Sequence, residues 1–320
     1  MFLVMDEQRV ILDKLYEEIQ RNCECCEVFR LSKSQQLRLA ASLVRLNYQA
    51  YDRVVIFSRL KRMRSQLAVL CCIPGLVFFE HDACQNYMAN SKYRGAYSAF
   101  YKRLPWARVL SSGATVARRL REEGVDAHFV SKGYDQGFLN DVGRARDIDA
   151  AFLGSLKGNA YSLRREMLAA IAGRTTLLIT RTESGEAYPE WLNRIRIFVS
   201  ADVGMGEYMI KNFEAMACGC VLLAWSQGAE EDSALGFEDG KNVMLYRSVE
   251  EAVEKINRLN AEPELAARIA REGQVFAQQH YTFARVGRDL ARAIEQPMRP
   301  WPGVSGLQRV WLRLRYGLKV

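Results

Sequence analysis

Between Gly206 and Gly228 the sequence reads GEYMIKNFEAMACGCVLLAWSQG. Its helical stretch carries Lys211 and Glu214 three residues apart, so both lie on one helix face. The apolar run IRIFVSA (195–201) and a glycine-bearing loop (202–206) precede it. A helix that starts after such a loop offers unpaired N–H groups and the positive end of its dipole, which suits a diphosphate. A lysine there can meet a phosphate, and a carboxylate can accept two hydrogen bonds from a ribose diol. Ala215, Ala217 and Gly219 are small and let backbone approach closely. Spacing alone favours the plainer account, a surface ion pair on a helix packed through Phe213 and Met216.

Other residues with chemical capacity lie at strand ends. Gly154 and Ser155 close the run AAFLGS, and Lys157 follows. Backbone N–H groups and an ammonium in that arrangement can hold a second phosphate oxygen, or the segment is a solvated turn. Arg164 and Arg165 open a helix, divided between solvent and cleft. Arg181 ends TTLLIT (175–180) and faces the same cleft by position. His81 ends LVFFEHD (76–82). A lone histidine at a strand end is most often structural; a neutral imidazole there can also bond a sugar hydroxyl or steady developing charge. Asp82 is placed to orient it or to cap the next helix. No nucleophile is paired with a base. Asp147-Ile148-Asp149 imitates a metal-binding D-x-D, but it precedes a buried strand in a charged linker, so no metal and no cofactor are implied.

These residues must be positioned by alternating strands and helices. Strand-like runs occur at 1–6, 26–31, 53–58, 76–82, 108–113 and 127–133, with helical spacing over 7–21, 34–48, 63–72, 91–103 and 114–123. After the polar stretch 137–149 the pattern restarts with strands at 150–155, 175–180, 195–201, 220–225 and 242–246. Helices are expected at 162–172, 188–194, 208–217, 249–260, 263–280 and 282–295. Such alternation predicts parallel sheets covered on both faces, hence an α/β chain of two doubly wound, Rossmann-like domains facing across a cleft. The expected division is 1–140, 141–296 and a basic aromatic tail, 297–320. Ligands belong at the carboxyl ends of the strands, between the halves.

Composition narrows the partners. The chain has 320 residues, 49% hydrophobic, with only 7 prolines, which fits a core-forming protein. No apolar run reaches the roughly 18 residues of a membrane span, and MFLVMDEQ turns acidic too early for a secretory signal. A cytoplasmic location is expected. Eight cysteines include one Cys-x2-Cys, Cys23–Cys26, with no second pair to complete a zinc site, so ordinary reduced thiols are expected. The net charge of +8 points to nucleic acid, an anionic membrane or a diphosphate substrate. RLKRMR (59–64) and WPGVSGLQRVWLRLRYGLKV (301–320) hold much of it. Cations interleaved with aromatics in the tail suit an anionic membrane surface or a helix packed with its arginines outward. No nucleic-acid recognition module is visible.

FEAMACGCVLLA (213–224) resembles the donor-site signature of GT-B glycosyltransferases of the retaining, family-4 kind, in the branch that is also similar to CgeB-like spore-coat proteins. The resemblance extends over FLGSLKGNAYSLRREML (152–168), YPEWLNRIRIFVSA, LGFEDGKNVMLY (235–246) and GQVFAQQHYTFARVGRDLARAI (273–294), about 150 residues. It is looser over RVLSSGATVARRLREEGVDAHFVSKGYD (108–135) and LVFFEHD. It implies that Glu214 contacts the donor ribose, with Lys211, Lys157, Gly154, Ser155, Arg181, Glu207 and Ala215 as further donor contacts and His81 near the donor sugar. Two features depart from it. The usual glycine-rich loop after the first strand is missing, and a second glutamate eight residues before Glu214 is replaced by Gly206, with Glu207 beside it. The resemblance implies a metal-independent hexosyl transfer from a nucleotide sugar to a cell-surface glycan, lipid-linked and of the lipopolysaccharide core or O-polysaccharide type, at the cytoplasmic face of the inner membrane. Two alternatives stay open: a non-catalytic nucleotide-sugar-binding protein in surface-polymer assembly, and a sugar-nucleotide epimerase.

Overall fold

A computed structural model describes residues 1–5, 12–182, 185 and 187–318. Residues 6–11, which include Val10 and Ile11 of the helix expected over 7–21, and Lys319 in the tail lie outside the described residues. The first six strands are β1 (Phe2–Met5), β2 (Val28–Leu31), β3 (Val54–Phe57), β4 (Leu76–Glu80), β5 (Arg108–Ser111) and β6 (Asp126–Phe129). They form one parallel sheet in the order β2-β1-β3-β4-β5-β6. The helices of this half are α1 (Asp13–Asn22), α2 (Lys33–Leu37), α3 (Leu39–Arg45), α4 (Leu60–Met63), α5 (Leu67–Leu70), α6 (Ala96–Tyr101) and α7 (Ala114–Glu122).

Strands buried on both faces explain the continuous apolar runs. Phe2, Val4, Val55, Phe57, Val77 and Phe79 pack on one face. Leu3, Val54, Ile56, Leu76 and Phe78 pack on the other. The period of two sends alternate residues to opposite sides. Each large side chain so buried contributes roughly 1.5–3 kcal/mol relative to exposure.

The second sheet comprises β7 (Ile148–Leu153), β8 (Leu178–Thr180), β9 (Ile195–Ser200), β10 (Val221–Trp225) and β11 (Met244–Tyr246). Its order is β11-β10-β9-β7-β8, again parallel. The helices are α8 (Ser162–Ala172), α9 (Ala187–Arg194), α10 (Ile210–Ala217), α11 (Ala229–Ala234), α12 (Val249–Ala261), α13 (Pro263–His280), α14 (Phe283–Glu295) and α15 (Gly306–Tyr316). Strand order reverses between β7 and β9, and in an open α/β sheet the crevice at that reversal is where a ligand sits.

Three local expectations are revised. The single helix expected over 34–48 is broken at Arg38, whose φ of −123° and ψ of 50° leave the helical region. The helix expected over 91–103 shortens to α6, and a short 3-10 turn, Ala83–Asn86, precedes it. Helix α11 was not anticipated, because AEEDSA carries no apolar stripe.

The chain crosses between the sheets twice. One crossing is the segment after β6. The other is the corner between α13 and α14, which carries α14 back onto the first sheet beside α1. Gly287 permits that approach: a Cβ there would stand 2.5 Å from the Glu18 Cβ. The two crossings are bonded together. Tyr134 N–H donates to the Tyr281 carbonyl at 2.9 Å, and Phe283 N–H donates to the Tyr134 carbonyl at 2.8 Å.

Candidate active site

The carboxyl ends of the two sheets meet through polar side chains. Ser112, just after β5, donates to Glu207 Oε2 at 2.8 Å. Lys132, from the first crossing, pairs with the same carboxylate at 3.1 Å and donates to the Tyr208 carbonyl at 3.2 Å. Glu231 of α11 accepts from Thr115 N–H at 2.8 Å, at the amino end of α7. Arg118 of α7 reaches Glu230 at 2.7 Å. Each domain therefore presents a wall to the other, and the two walls touch through these contacts.

On the second-domain wall, Lys211 and Glu214 come together at the end of β7. Lys211 Nζ donates to the Leu153 carbonyl at 2.6 Å. Tyr188 of α9 donates to Glu214 at 2.6 Å, and the Lys211 ammonium lies 4.8 Å from the Tyr188 ring centroid. One tyrosine thus gathers the cation and the carboxylate that share a face of α10. Gly154 lies beside them, its N–H bonded to the Thr180 carbonyl at 3.0 Å. The Ser155 hydroxyl accepts from Lys157 N–H at 3.3 Å, which shapes the turn after β7. Lys157 and Arg181 are exposed at the rim, after β7 and β8. Arg164 is buried against Asp202, whereas Arg165 is exposed and bonds the Leu156 carbonyl at 2.6 Å.

Two expected contacts are placed elsewhere. Glu207 turns across to Lys132 and Ser112, away from the Lys211–Glu214 cluster, because the buried ammonium draws it. Ala215 packs in the core between helix and sheet with its apolar neighbours, and Glu214 is itself only 1% exposed, covered where it accepts from Tyr188. Gly206 has φ of +69°, a conformation that disfavours any side chain, which accounts for the missing glutamate at that position.

His81 directly follows β4 on the opposite wall, edge-on to Phe79 with ring centroids 4.6 Å apart and near Phe57 at 5.2 Å. Burial, with the nearby Lys132 charge, pushes its imidazole down to about 3, so it is neutral at pH 7. Around it, burial raises the Glu80 carboxyl to about 8, aided by the Asp82 charge, and raises Asp82 as well. Burial lifts Glu231 to about 7. Burial opposes the charge on Lys132, but Glu207, Cys84 and Asp82 together outweigh it and hold the ammonium above its usual range.

The Glu80 shift predicts a pH dependence. Its folded-state value lies above the unfolded one, so the folded state keeps a proton that the unfolded chain releases. The Glu80 contribution is level below about pH 4.5 and is lost as pH rises toward 8. The fall amounts to about 3 kcal/mol by pH 7 at 1.36 kcal/mol per unit. Glu80→Gln should flatten urea midpoints measured between pH 5 and 8. An unchanged slope would remove Glu80 as the cause.

Residues unanticipated from sequence stiffen the second wall. Asp202 accepts from Asn212 Nδ2 at 2.9 Å and Met209 N–H at 3.2 Å, joining the loop after β9 to the start of α10. Asp232 accepts from Tyr208 and from Ser226, each at 2.6 Å. Gln227 donates to the Asp202 carbonyl and accepts from Gly206 N–H, each at 2.9 Å. The run EED (230–232) after Gly228 was the one sequence signal for this network. Asp147 and Asp149 sit at the opposite, amino end of β7, paired with Arg194 and Arg196 at 2.5 and 2.9 Å.

Two facing Rossmann-like domains with ligand-competent loops at their opposed carboxyl ends define the GT-B glycosyltransferase architecture. Residues 137–292, just under half of the chain, match the family model described as Glycosyl transferase-like. No curated protein matches the sequence significantly. HepE of Anabaena, solved with UDP-glucose, superposes with a TM-score of 0.67 at 14% identity, covering 92% of this chain and 98% of that one. Sucrose-phosphate synthase of Thermosynechococcus elongatus gives 0.67 at 11% identity over 91% and 97%. A glycosyltransferase of Rickettsia africae gives 0.64 at 10% over 92% and 97%. At these identities the likeness establishes the fold.

Proposed function

We propose that the protein transfers a hexosyl group from a nucleotide sugar to a cell-surface glycan acceptor, lipid-linked and of the lipopolysaccharide core or O-polysaccharide type. The carrying observation is the Tyr188–Lys211–Glu214 cluster beside the reversal of strand order. The donor lies on the second domain and the acceptor on the first. Glu214 takes the ribose diol. Lys211, Lys157, Arg181 and the turn Gly154–Ser155 take the diphosphate, while neutral His81 faces the sugar. Because the sequence pairs no nucleophile with a base, catalysis rests on positioning and on stabilising the leaving diphosphate. Retention of configuration is part of the proposal. So is independence of metal, which the amino-end placement of Asp147 and Asp149 supports; transfer rates should be unchanged by EDTA. The enzyme works at the cytoplasmic face of a membrane.

A thermal-shift screen against nucleotide sugars tests the reading, beginning with UDP-glucose because it accompanies the similar HepE fold. At a hundredfold excess over Kd the donor should add about 2.7 kcal/mol of apparent stability. No shift and no hydrolysis with any nucleotide sugar would sink the proposal. Binding with no transfer to any acceptor would favour the non-catalytic alternative, which the commitment of Glu207 to Lys132 also supports. A new sugar nucleotide formed without acceptor would favour the epimerase.

A further inference from the structure

Helix α15 is held to the first domain by its buried side. Leu312 and Leu318 join the core beneath it, and Trp301 Nε1 donates to the Cys71 carbonyl at 3.0 Å. Arg299 fixes the preceding segment, donating to the Gly124 carbonyl at 2.6 Å. Yet the helix leaves large apolar side chains uncovered: Leu307 is 87% exposed, Leu314 82%, Val310 59% and Trp311 48%. Their spacing, i, i+3, i+4 and i+7, makes one stripe. At 3.6 residues per turn, Leu312 lies roughly 150° round the helix from the middle of that stripe. The uncovered stripe therefore faces directly away from the protein.

Charge decides what covers it. Arg313 flanks the stripe on one side and Arg315 on the other, with Arg309 behind, and all three are exposed. No aspartate or glutamate occurs after Glu295. A second copy of the same helix would bring arginines against arginines. An anionic lipid surface meets both requirements: acyl chains take the stripe, and headgroup phosphates take the guanidinium groups.

We infer that α15 is an interfacial docking helix that lies in the plane of an anionic membrane and presents the first domain to it. This deepens the proposed function, resting on its reading of a lipid-linked acceptor at a membrane. Its measurement needs no donor or acceptor, so it can fail while the glycosyltransferase reading stands.

The test is vesicle flotation of the full chain, with phosphatidylcholine alone or mixed with phosphatidylglycerol. The protein should float with the anionic vesicles, less so at high salt, and stay behind with phosphatidylcholine. Leu307→Gln with Leu314→Gln should reduce partitioning at least tenfold. Changing Arg309, Arg313 and Arg315 to Gln should reduce it on the order of a hundredfold, at about 1 kcal/mol per cation. These side chains are exposed, so thermal midpoints should be unchanged. No flotation with anionic vesicles, or flotation unaffected by the Leu variants, would overturn the inference. So would a dimer in light scattering that the Leu variants convert to monomer, since the stripe would then be a self-interface.

Discussion

Lys132→Met should lower the stability of the folded chain by about 3–5 kcal/mol, the cost of leaving one buried charge without its partner. Lys132 and Glu207 are 5% and 1% exposed. Glu207 Oε1 already lacks a hydrogen-bond partner, and the carboxylate would be left with neutral partners such as Ser112 and no opposing charge. Methionine fills similar volume, so the loss reports charge and not packing. Glu207→Gln added to Lys132→Met should recover most of the loss, because it removes the stranded carboxylate. Urea denaturation of the single and double variants measures this directly. A single variant within 1 kcal/mol of wild type would remove the pair as a stabilising element. The carboxylate has another escape, hydration through separation of the domains. That route would appear as a larger radius of gyration in solution scattering with a smaller stability loss.

Glu214→Gln should weaken donor-nucleotide affinity by about ten- to a hundredfold, since hydrogen bonds to a charged group are worth roughly 1.5–3 kcal/mol. The amide keeps the carboxylate's shape while losing its charge and one acceptor, so the fold should persist. Tyr188→Phe supplies the comparison. It removes the 2.6 Å bond to Glu214 but keeps the ring beneath Lys211, and should cost less. Titration calorimetry with the nucleotide found in the donor screen reads both. Equal affinity for wild type and Glu214→Gln would cancel the ribose role, leaving Glu214 as a structural acceptor for Tyr188.

The strands could be read from the sequence because parallel strands buried on both faces appear as unbroken apolar runs. RVVIFS, LVFFE and CVLLAW needed no further context. Helix α11 could not be read, because its residues are set by distant partners: Asp232 by Tyr208 and Ser226, Glu231 by Thr115. The break at Arg38 was equally invisible to periodicity. The same division holds at the site. Lys211 and Glu214 share a face by helical arithmetic, and the structure brings both to Tyr188. The direction of Glu207 depended on Lys132, remote in sequence and adjacent only once both sheets exist. Ala215 was misplaced because a small residue fits a tight core as well as a ligand contact.

The backbone bonds that tie Tyr134 to Tyr281 and Phe283 carry a mechanical consequence. Two separate tethers between bodies would resist rotation about most axes, whereas two tethers fastened at one point act as a single pivot. Gly133 keeps that pivot tight, since a Cβ there would lie 2.4 Å from the Tyr281 carbonyl oxygen. Both bonds lie along the Tyr134–Thr282 line, so turning one domain against the other about that line would leave them in place. Ser112–Glu207, Lys132–Glu207, Thr115–Glu231 and Arg118–Glu230 are the clasps to be released if the domains part.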